Sequence, residues 1–465
     1  MVRYHTINDL TIGGRQTLQD FPDLKEFRLE ATEDGIVHMI FDAPGRSMNV
    51  FSNRAIHEAE AFADWLKTAD VKGVVISSGK DSAFCAGADL GELSSAYEMI
   101  MSTPKADRDA VTVKEYSPIG RAFRKLETAG KPVAVAINGL ALGGGCELAL
   151  ACHYRVLTDG KGVALGLPES LVGLLPGGGG TQRLPRVVGI GPSLPILLEA
   201  GRFNAQESLD LGLAHEVVPA GQEVAAAEAW VRSNPDPRQP WDREGWSDPS
   251  ADAVLAETGP VRAEVLRKLG GHFPAELAIL DCLDRGLPVD MDRAVAEEID
   301  IFKDLVQRIE PRNMIAAQFL GRTEYERRKR KEALPEYLDA FTSEMAEVTR
   351  AAIAKRGDLG AEAVQFAGIT IDGPVTWAEV TAAETAARET QWFLEPRNDV
   401  DRAALAILSD VALAASGWLD KVPEADRNLV DCATARVAGF PAYLGGPFLF
   451  LGQFGADGCR SMAAA

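Results

Sequence analysis

The strongest constraint on the fold is a change of pattern along the chain. Over roughly the first 230 residues, short runs rich in β-branched residues alternate with stretches that carry apolar residues at helical spacing. Beyond about residue 251, strand-like runs almost vanish and nearly every segment has helical periodicity. Strands that alternate with helices indicate an α/β core of successive crossover units. We therefore expect an α/β module followed by a helical extension.

The individual elements follow from the same patterns. Short apolar runs bounded by turn residues predict strands at 36–41, 73–78, 133–137, 154–157 and 215–218. Apolar residues at helical spacing predict helices at 53–67, 122–126, 193–199, 205–211, 223–231, 337–355, 377–393 and 402–419. A basic run, Arg327 to Lys331, indicates a boundary before the last three of these helices.

Composition excludes several classes of protein. The chain has 465 residues and a formal net charge of −20, which argues against a general nucleic-acid or anionic-membrane binder, because both need a basic surface. Its six cysteines are too sparse for a disulfide scaffold and form no CxxC pair, so we expect no metal site. No secretory signal or membrane span is evident, which predicts a cytoplasmic protein.

Two glycine-bearing loops carry the first sign of chemistry. One runs from Ala83 to Leu90, after a predicted strand, and the other from Asn138 to Leu148, where it opens a helix. Glycines let a backbone approach a ligand closely, and a helix N-terminus offers unpaired N–H groups. Two such donors that converge on one oxygen would form an oxyanion hole, although tight packing of a strand against a helix explains the glycines equally well.

Two glutamates favour the chemical interpretation. Glu147 lies three residues after Gly144, and Glu169 precedes a further glycine loop, Pro176 to Arg183. A carboxylate in surroundings as apolar as those of Glu147 is costly unless it is paired or used. Two glutamates beside a pocket that polarises a carbonyl suit general acid–base chemistry on the neighbouring carbons.

These loops, both glutamates and their order resemble the crotonase superfamily, specifically its enoyl-CoA hydratases, from about Phe27 to Val218. The resemblance implies a spiral of ββα units that binds an acyl-CoA thioester, with coenzyme A as part of the substrate and no other cofactor. It also implies an oxyanion hole formed by the amides of Ala88 and Gly144. Glu147 and Glu169 would then handle the water and the α-carbon proton in hydration of a 2-enoyl-CoA, in either assignment of roles.

The resemblance extends to residues that would bind the substrate and to a larger class of enzymes. The loop that contains Ala86, Asp89 and Leu90 would contact the CoA end of the ligand. The stretch from Pro240 to Arg243 and the segment from Ala438 to Phe448 are similar to parts of multifunctional β-oxidation enzymes, in which a hydratase is fused to a hydroxyacyl-CoA dehydrogenase. The second segment matches the end of the dehydrogenase's helical domain.

Three departures from those fused enzymes follow from the residues. No GxGxxG turn occurs, and all six histidines precede the basic run, so we expect no NAD-dependent dehydrogenase activity from the extension. The turn from Asp159 to Gly162 is longer than is usual before the second glutamate. His153 stands where an acidic residue is usual, and a packed histidine is the preferred interpretation.

The predicted organisation is an N-terminal segment (1–25), a crotonase-like domain (26–235), a helical linker region (236–335) and a helical C-terminal domain (336–465). Enoyl-CoA hydratase is the leading hypothesis for the function. Another crotonase-type reaction on an acyl-CoA, by an isomerase, hydrolase or oxygenase, is one alternative. The other is a weakly catalytic subunit of a β-oxidation complex with a thiolase-like partner. A homo-oligomer is expected.

Overall fold

The structure is a computed structural model that describes residues 24–81, 83–116, 118–371, 373, 375–378, 380 and 391–464, and the backbone of 4–6, 11–12 and 16–17. The chain divides into two compact units. The first comprises residues 1–170, 174–258 and 278–307, and the second comprises 171–173, 259–277 and 308–465. Of the predicted linker region, residues 236–258 and 278–307 group with the first unit, and the predicted domain boundaries at 235 and 335 stay a prediction.

A seven-stranded sheet forms the centre of the first unit. Its strands, in spatial order, are β1 (Tyr4–Thr6), β4 (Phe27–Thr32), β5 (Ile36–Phe41), β6 (Gly73–Ser78), β8 (Val133–Ile137), β10 (Tyr154–Thr158) and β13 (Glu216–Val218). The first two pairs are antiparallel and the other four are parallel. Every residue of β8 is buried, as expected for a parallel strand covered on both faces.

A second, smaller sheet runs through the same unit. It contains β12 (Arg202–Asn204), β11 (Ala164–Gly166), β9 (Leu140–Leu142) and β7 (Ala83–Cys85), in that spatial order. β11 pairs with β9, and β9 with β7, in parallel. A separate two-stranded pair joins β2 (Thr11–Ile12) and β3 (Gln16–Thr17). The four strands of the small sheet were not predicted, because runs of three residues carry little readable alternation.

The two sheets define a repeated ββα unit. Each repeat places a strand in the large sheet, a short strand in the small sheet and then a helix. Within the described residues it occurs three times: β6 and β7 precede the helix Leu90–Ser102, β8 and β9 precede Gly144–Ala151, and β10 and β11 precede Gly180–Val188. The helices α1 to α9 span Asn53–Leu66, Leu90–Ser102, Arg108–Tyr116, Pro118–Glu127, Gly144–Ala151, Gly180–Val188, Ile190–Leu198, Ala205–Asp210 and Glu223–Arg232. The predicted fold, successive ββα units followed by a helical extension, is confirmed.

The remaining long elements are helical. Helices α10 to α14 span Ala251–Leu269, Pro274–Gly286, Met291–Val306, Ile309–Met314 and Arg322–Arg330, with a π-helical segment, Ile315–Gly321, before the last. Helices α15 to α19 span Leu338–Lys355, Gly357–Ala367, Asp399–Ser416, Arg427–Val437 and Pro447–Ala464. Short 3₁₀ turns lie at Lys105–Asp107, Glu169–Val172, Pro240–Asp242, Glu424–Asp426 and Ala442–Leu444.

The second unit has its own apolar core. Helix α17 (Asp399–Ser416) packs against α15, α16 and α19, and its buried residues follow one another almost without interruption. His272 stacks on Tyr443 with ring centroids 4.8 Å apart, and its Nδ1 accepts a hydrogen bond from the indole N–H of Trp392. The basic run lies on α14, which has no buried residue, as a solvated helix face requires.

The predicted strands and most predicted helices agree with the structure within a few residues. Helix 193–199 begins earlier, at Ile190, and helix 402–419 lies three residues earlier, at 399–416. The predicted helix 377–393 and the N-terminal segment 1–25 lie largely outside the described residues. None of the described helices combines the length and the apolar character that crossing a bilayer requires.

Candidate active site

Glu147 is buried in the first unit and is held by backbone amides. It lies on α5, one turn after the helix begins, and is 2% exposed. Its Oε1 accepts hydrogen bonds from the N–H groups of Gly178 (2.7 Å) and Gly180 (2.9 Å). Its Oε2 accepts no hydrogen bond from any described residue. Burial raises the pKa of Glu147 to about 7, and the two amides oppose that rise because they favour the charged form.

Glu169 lies close to the start of the same helix. It begins the 3₁₀ turn after β11, and its Oε1 would be 2.7 Å from a Cβ atom built on Gly143. Its Oε2 is shielded from solvent and has no hydrogen-bond partner among the described residues. Burial, and then the charge of Glu147, raise the pKa of Glu169 well above its ordinary value. A carboxyl group in this environment is stable in its protonated form.

The two predicted donors, Ala88 and Gly144, lie on loops that contact each other. The loops follow β7 and β9, which are neighbours in the small sheet, and a Cβ built on Gly143 would be 3.4 Å from the Cα of Gly87. The N–H of Phe51 donates to the carbonyl of Gly87, and the carbonyl of Phe51 accepts from the N–H of Asp89. Phe51 and Ala88 thus form a parallel bridge, in which the N–H of Ala88 points away from Phe51.

Gly144 is the first residue of α5, where helix geometry leaves the N–H without an intrahelical acceptor. Its predecessor Gly143 has φ of +52°, a left-handed conformation that favours glycine. The same position is crowded, since any side chain there would meet Glu169. The structure therefore brings the two predicted donors onto adjoining loops, next to the second glutamate, while their role in an oxyanion hole stays a prediction.

The predicted substrate-binding residues occupy the loop that leads into α2. Asp89 caps this helix, because its Oδ1 accepts hydrogen bonds from the amides of Gly91 and Glu92, and its Oδ2 pairs with Arg46 at 2.6 Å. Leu90 is the first residue of the helix. Ala86 donates its N–H to the carbonyl of Asn49. A structural cap explains Asp89 fully, so binding of a ligand by this loop stays a prediction.

A third carboxylate in this cluster was missed by sequence reasoning. Glu298, on α12, is fully buried, and its Oε1 accepts a hydrogen bond from the N–H of Gly179 at 2.7 Å. Its Oε2 accepts one from the hydroxyl of Thr181. Burial, and then the charge of Glu147, raise the pKa of Glu298 to about 8. The sequence offered one local signal for this residue, a glutamate on the apolar face of an amphipathic helix.

A buried ion pair supports the glycine loop from its other side. The guanidinium of Arg183 binds both oxygens of Glu127 at 3.1 and 3.0 Å, and neither side chain is exposed. Its third group, Nη1, donates to the carbonyl of Gly178 at 2.9 Å. Gly179 has φ of +92°, and a Cβ there would collide with this guanidinium. The loop is thus fixed in one conformation.

His153 is a packed histidine, as preferred from the sequence. Its Nδ1 accepts the N–H of Val133 at 3.1 Å and its Nε2 bonds the carbonyl of Glu127 at 3.0 Å. Burial lowers its pKa. Among the described residues, no group of three or more His, Cys, Asp or Glu side chains is arranged to hold a metal ion.

The arrangement as a whole can move protons beside a site for negative charge. A carboxylate with a pKa near neutrality can accept a proton, and a neighbouring carboxyl whose pKa is raised well above its ordinary value can donate one. The amides on adjoining loops supply donors for an oxygen that becomes negative.

Comparison with known proteins bears on this geometry. The family described as Enoyl-CoA hydratase/isomerase matches residues 31–236. Two proteins named fatty acid oxidation complex subunit alpha are 35% identical over 291 residues (Shewanella frigidimarina) and 37% identical over 295 residues (Shewanella loihica). A structure titled enoyl-CoA hydratase from Bacillus halodurans is 18% identical, with a TM-score of 0.45, over 63% of this chain and 99% of that one.

Each of the two Shewanella matches covers 61% of this chain and 39% of the relative, so the chain spans well under half the length of these relatives. The matched family segment contains both predicted glutamates and both predicted amide donors. Residues 31–236 therefore match the enoyl-CoA hydratase/isomerase family, over the segment in which the sequence resembles the crotonase superfamily.

Proposed function

We propose that this protein is an enoyl-CoA hydratase that adds water across the double bond of a 2-enoyl-CoA thioester. The observation that carries the proposal is the pair of buried glutamates, Glu147 and Glu169, whose pKa values are both raised beside two loops with adjoining amide donors. Coenzyme A enters as part of the substrate, and the proposal needs no other cofactor.

The geometry supports a division of roles between the glutamates. Glu147, whose charged form is favoured by the amides of Gly178 and Gly180, removes a proton from water through its Oε2 while the water oxygen bonds to C3 of the substrate. Electron density moves to the thioester oxygen, where the amides of Ala88 and Gly144 stabilise the enolate. Glu169 then donates its proton to C2. Water is consumed as one hydroxyl and one hydrogen, and Glu147 ends the cycle protonated and Glu169 ionised.

The two glutamates must exchange one proton before the next cycle. Since the charge of Glu147 raises the pKa of Glu169, the two groups are close enough to influence each other. The pair therefore returns to its starting state by a transfer between them, directly or through solvent.

The test is the loss of enoyl-thioester absorbance when a 2-enoyl-CoA is mixed with the protein. We expect Glu147→Gln and Glu169→Gln each to lower kcat by roughly 10²- to 10⁴-fold, since each removes a group that transfers a proton. Glu33→Gln, at an exposed turn, is the matched control and should retain full activity. An inactive wild-type protein, or full activity in both glutamate variants, would refute the proposal.

Product analysis over a panel of acyl-CoA thioesters separates the alternatives. A shifted double bond indicates an isomerase, a free acid a hydrolase, and an oxygenated product an oxygenase. Formation of NADH from a 3-hydroxyacyl-CoA would contradict the expected absence of dehydrogenase activity. Native mass measurement tests the predicted homo-oligomer and the predicted thiolase-like partner, and a cytoplasmic location stays a prediction as well.

A further inference from the structure

The glycine loop that orients Glu147 is shared between two carboxylates. The amides of Gly178 and Gly180 bind Glu147, whereas the amide between them, that of Gly179, binds Glu298. Three successive N–H groups thus point alternately to two side chains on different helices. Any movement of the middle residue moves both flanking amides, because the three residues share two peptide planes.

Glu298 holds this loop at a second point. The Nε2 of Gln182 donates to the hydroxyl oxygen of Thr181 at 3.0 Å, so that hydroxyl directs its own proton to Oε2 of Glu298. Both oxygens of Glu298 therefore accept a hydrogen bond from the loop. The side chain is fully buried, and a buried carboxylate is retained at such a cost only where it is well satisfied.

We propose that Glu298 is a positioning residue of this site, whose carboxylate holds Gly179 and Thr181 and so fixes the neighbouring amides that orient Glu147. This inference rests on the proposed function only for its consequences in catalysis. Glu298 lies outside the segment that matches the family, so the helical region after residue 236 completes a site that the matched segment does not complete by itself.

The charge of Glu298 has a second consequence. The ionisable groups that face it are Glu147 on α5, Glu169 after β11, Arg183 on α6 and Cys282 on α11. Among the causes that raise the pKa of Glu169 is the charge of Glu298. Ionised Glu298 therefore helps Glu169 to keep its proton as the pH rises.

Three variants separate geometry from charge. Glu298→Ala removes both hydrogen bonds from the loop, and Glu298→Gln keeps an oxygen that accepts from the N–H of Gly179 but removes the charge. Glu297→Gln is the matched control, because Glu297 is next along the same helix and pairs with Arg285 instead. Thr181→Val, which removes the hydrogen bond from the Thr181 hydroxyl, serves as a second probe of the loop should Glu298→Ala fail to fold.

Hydrogen exchange of the peptide that contains residues 177–181 tests whether Glu298 holds the loop, and this test does not depend on activity. We expect faster exchange in Glu298→Ala, intermediate rates in Thr181→Val and Glu298→Gln, which each keep the hydrogen bond from Gly179 but lose that from Thr181, and the wild-type rate in Glu297→Gln. Unchanged exchange in both Glu298→Ala and Thr181→Val would overturn the proposal, whether or not the protein hydrates an enoyl-CoA.

Steady-state kinetics test the consequence for catalysis. We expect Glu298→Ala to lower kcat by roughly 10- to 100-fold with little change in KM, as for other residues that orient a reacting group. Glu298→Gln should recover most of kcat, and the alkaline limb of its pH profile should move to lower pH, which a purely structural role would not produce. Equal kcat and an unchanged pH profile in both variants would overturn the positioning role, whereas an inactive wild type refutes only the proposed function.

Discussion

Replacement of Glu147 by glutamine should stabilise the protein while it abolishes most activity. Glutamine has the same shape, and its side-chain oxygen can accept the same two hydrogen bonds from Gly178 and Gly180. The difference between the two side chains is the ionisation of a fully buried group. The experiment therefore measures what the fold loses by keeping a charge at this position.

The magnitude follows from the pKa of Glu147. Its rise from the ordinary value of 4.5 to about 7 corresponds to about 3 kcal/mol of lost stability once the group is ionised in both states. A carboxyl whose pKa is higher in the folded state costs nothing below pH 4.5, where it is neutral in both states. The cost grows between pH 4.5 and 7, and it is complete above pH 7.

Thermal unfolding at pH 5 and at pH 8 measures this cost. We expect Glu147→Gln to melt on the order of 5 to 10 °C above the wild type at pH 8, with a much smaller gain at pH 5. Glu33→Gln, at an exposed turn, should change neither temperature. Equal melting temperatures of variant and wild type at pH 8, or a gain at pH 5 as large as that at pH 8, would refute the reasoning.

Three further outcomes are expected. Gly143→Ala should lower the free energy of unfolding in urea by roughly 1–3 kcal/mol, because φ is +52° and the new Cβ would lie 2.7 Å from the carboxylate of Glu169. Gly162→Ala, in open space, should not lower it. Equal unfolding midpoints of the two variants would contradict this. Arg183→Met should cost roughly 3 kcal/mol in chemical denaturation, because it removes the fully buried partner of Glu127 and leaves that carboxylate paired with the part-exposed Arg124. The control Arg327→Met, at an exposed position, should cost at most about 0.5 kcal/mol, and an equal cost in both variants would contradict this. All six cysteines are buried, and burial raises the pKa of each thiol, so mass spectrometry after alkylation at pH 8 should find no label in the native protein and six in denaturant.

Much of the fold could be predicted because its signals are local. The parallel strands 73–78 and 133–137 are continuous apolar runs, and the amphipathic helix 53–66 repeats its apolar residues every three to four positions. The small sheet could not be predicted, since a strand of three residues such as 83–85 covers only about one and a half periods of the two-residue alternation. Strands as short as these pair only where the rest of the fold brings them together.

The candidate site divides in the same way. Glu147 and Glu169 could be predicted because each lies within a few residues of a glycine loop, in surroundings where an ionisable group needs an explanation. The partners of Glu147 could not be predicted, since the amides that bind it are 31 and 33 residues away along the chain. The structure shows that Asp89 caps a helix, which the sequence analysis did not predict, and its contact with a substrate stays a prediction.

By itself, the sequence determined the class of fold, the order of strands and helices, and the residue types that suit acid–base chemistry, because periodicity and short motifs are properties of neighbouring residues. Only the tertiary structure decided which carboxylates share an environment. Glu298 reaches Gly179 across 119 positions of the chain, through the packing of α12 in the first unit. The physical reason is that burial and mutual charge set a pKa, and both depend on which distant segments the fold brings together.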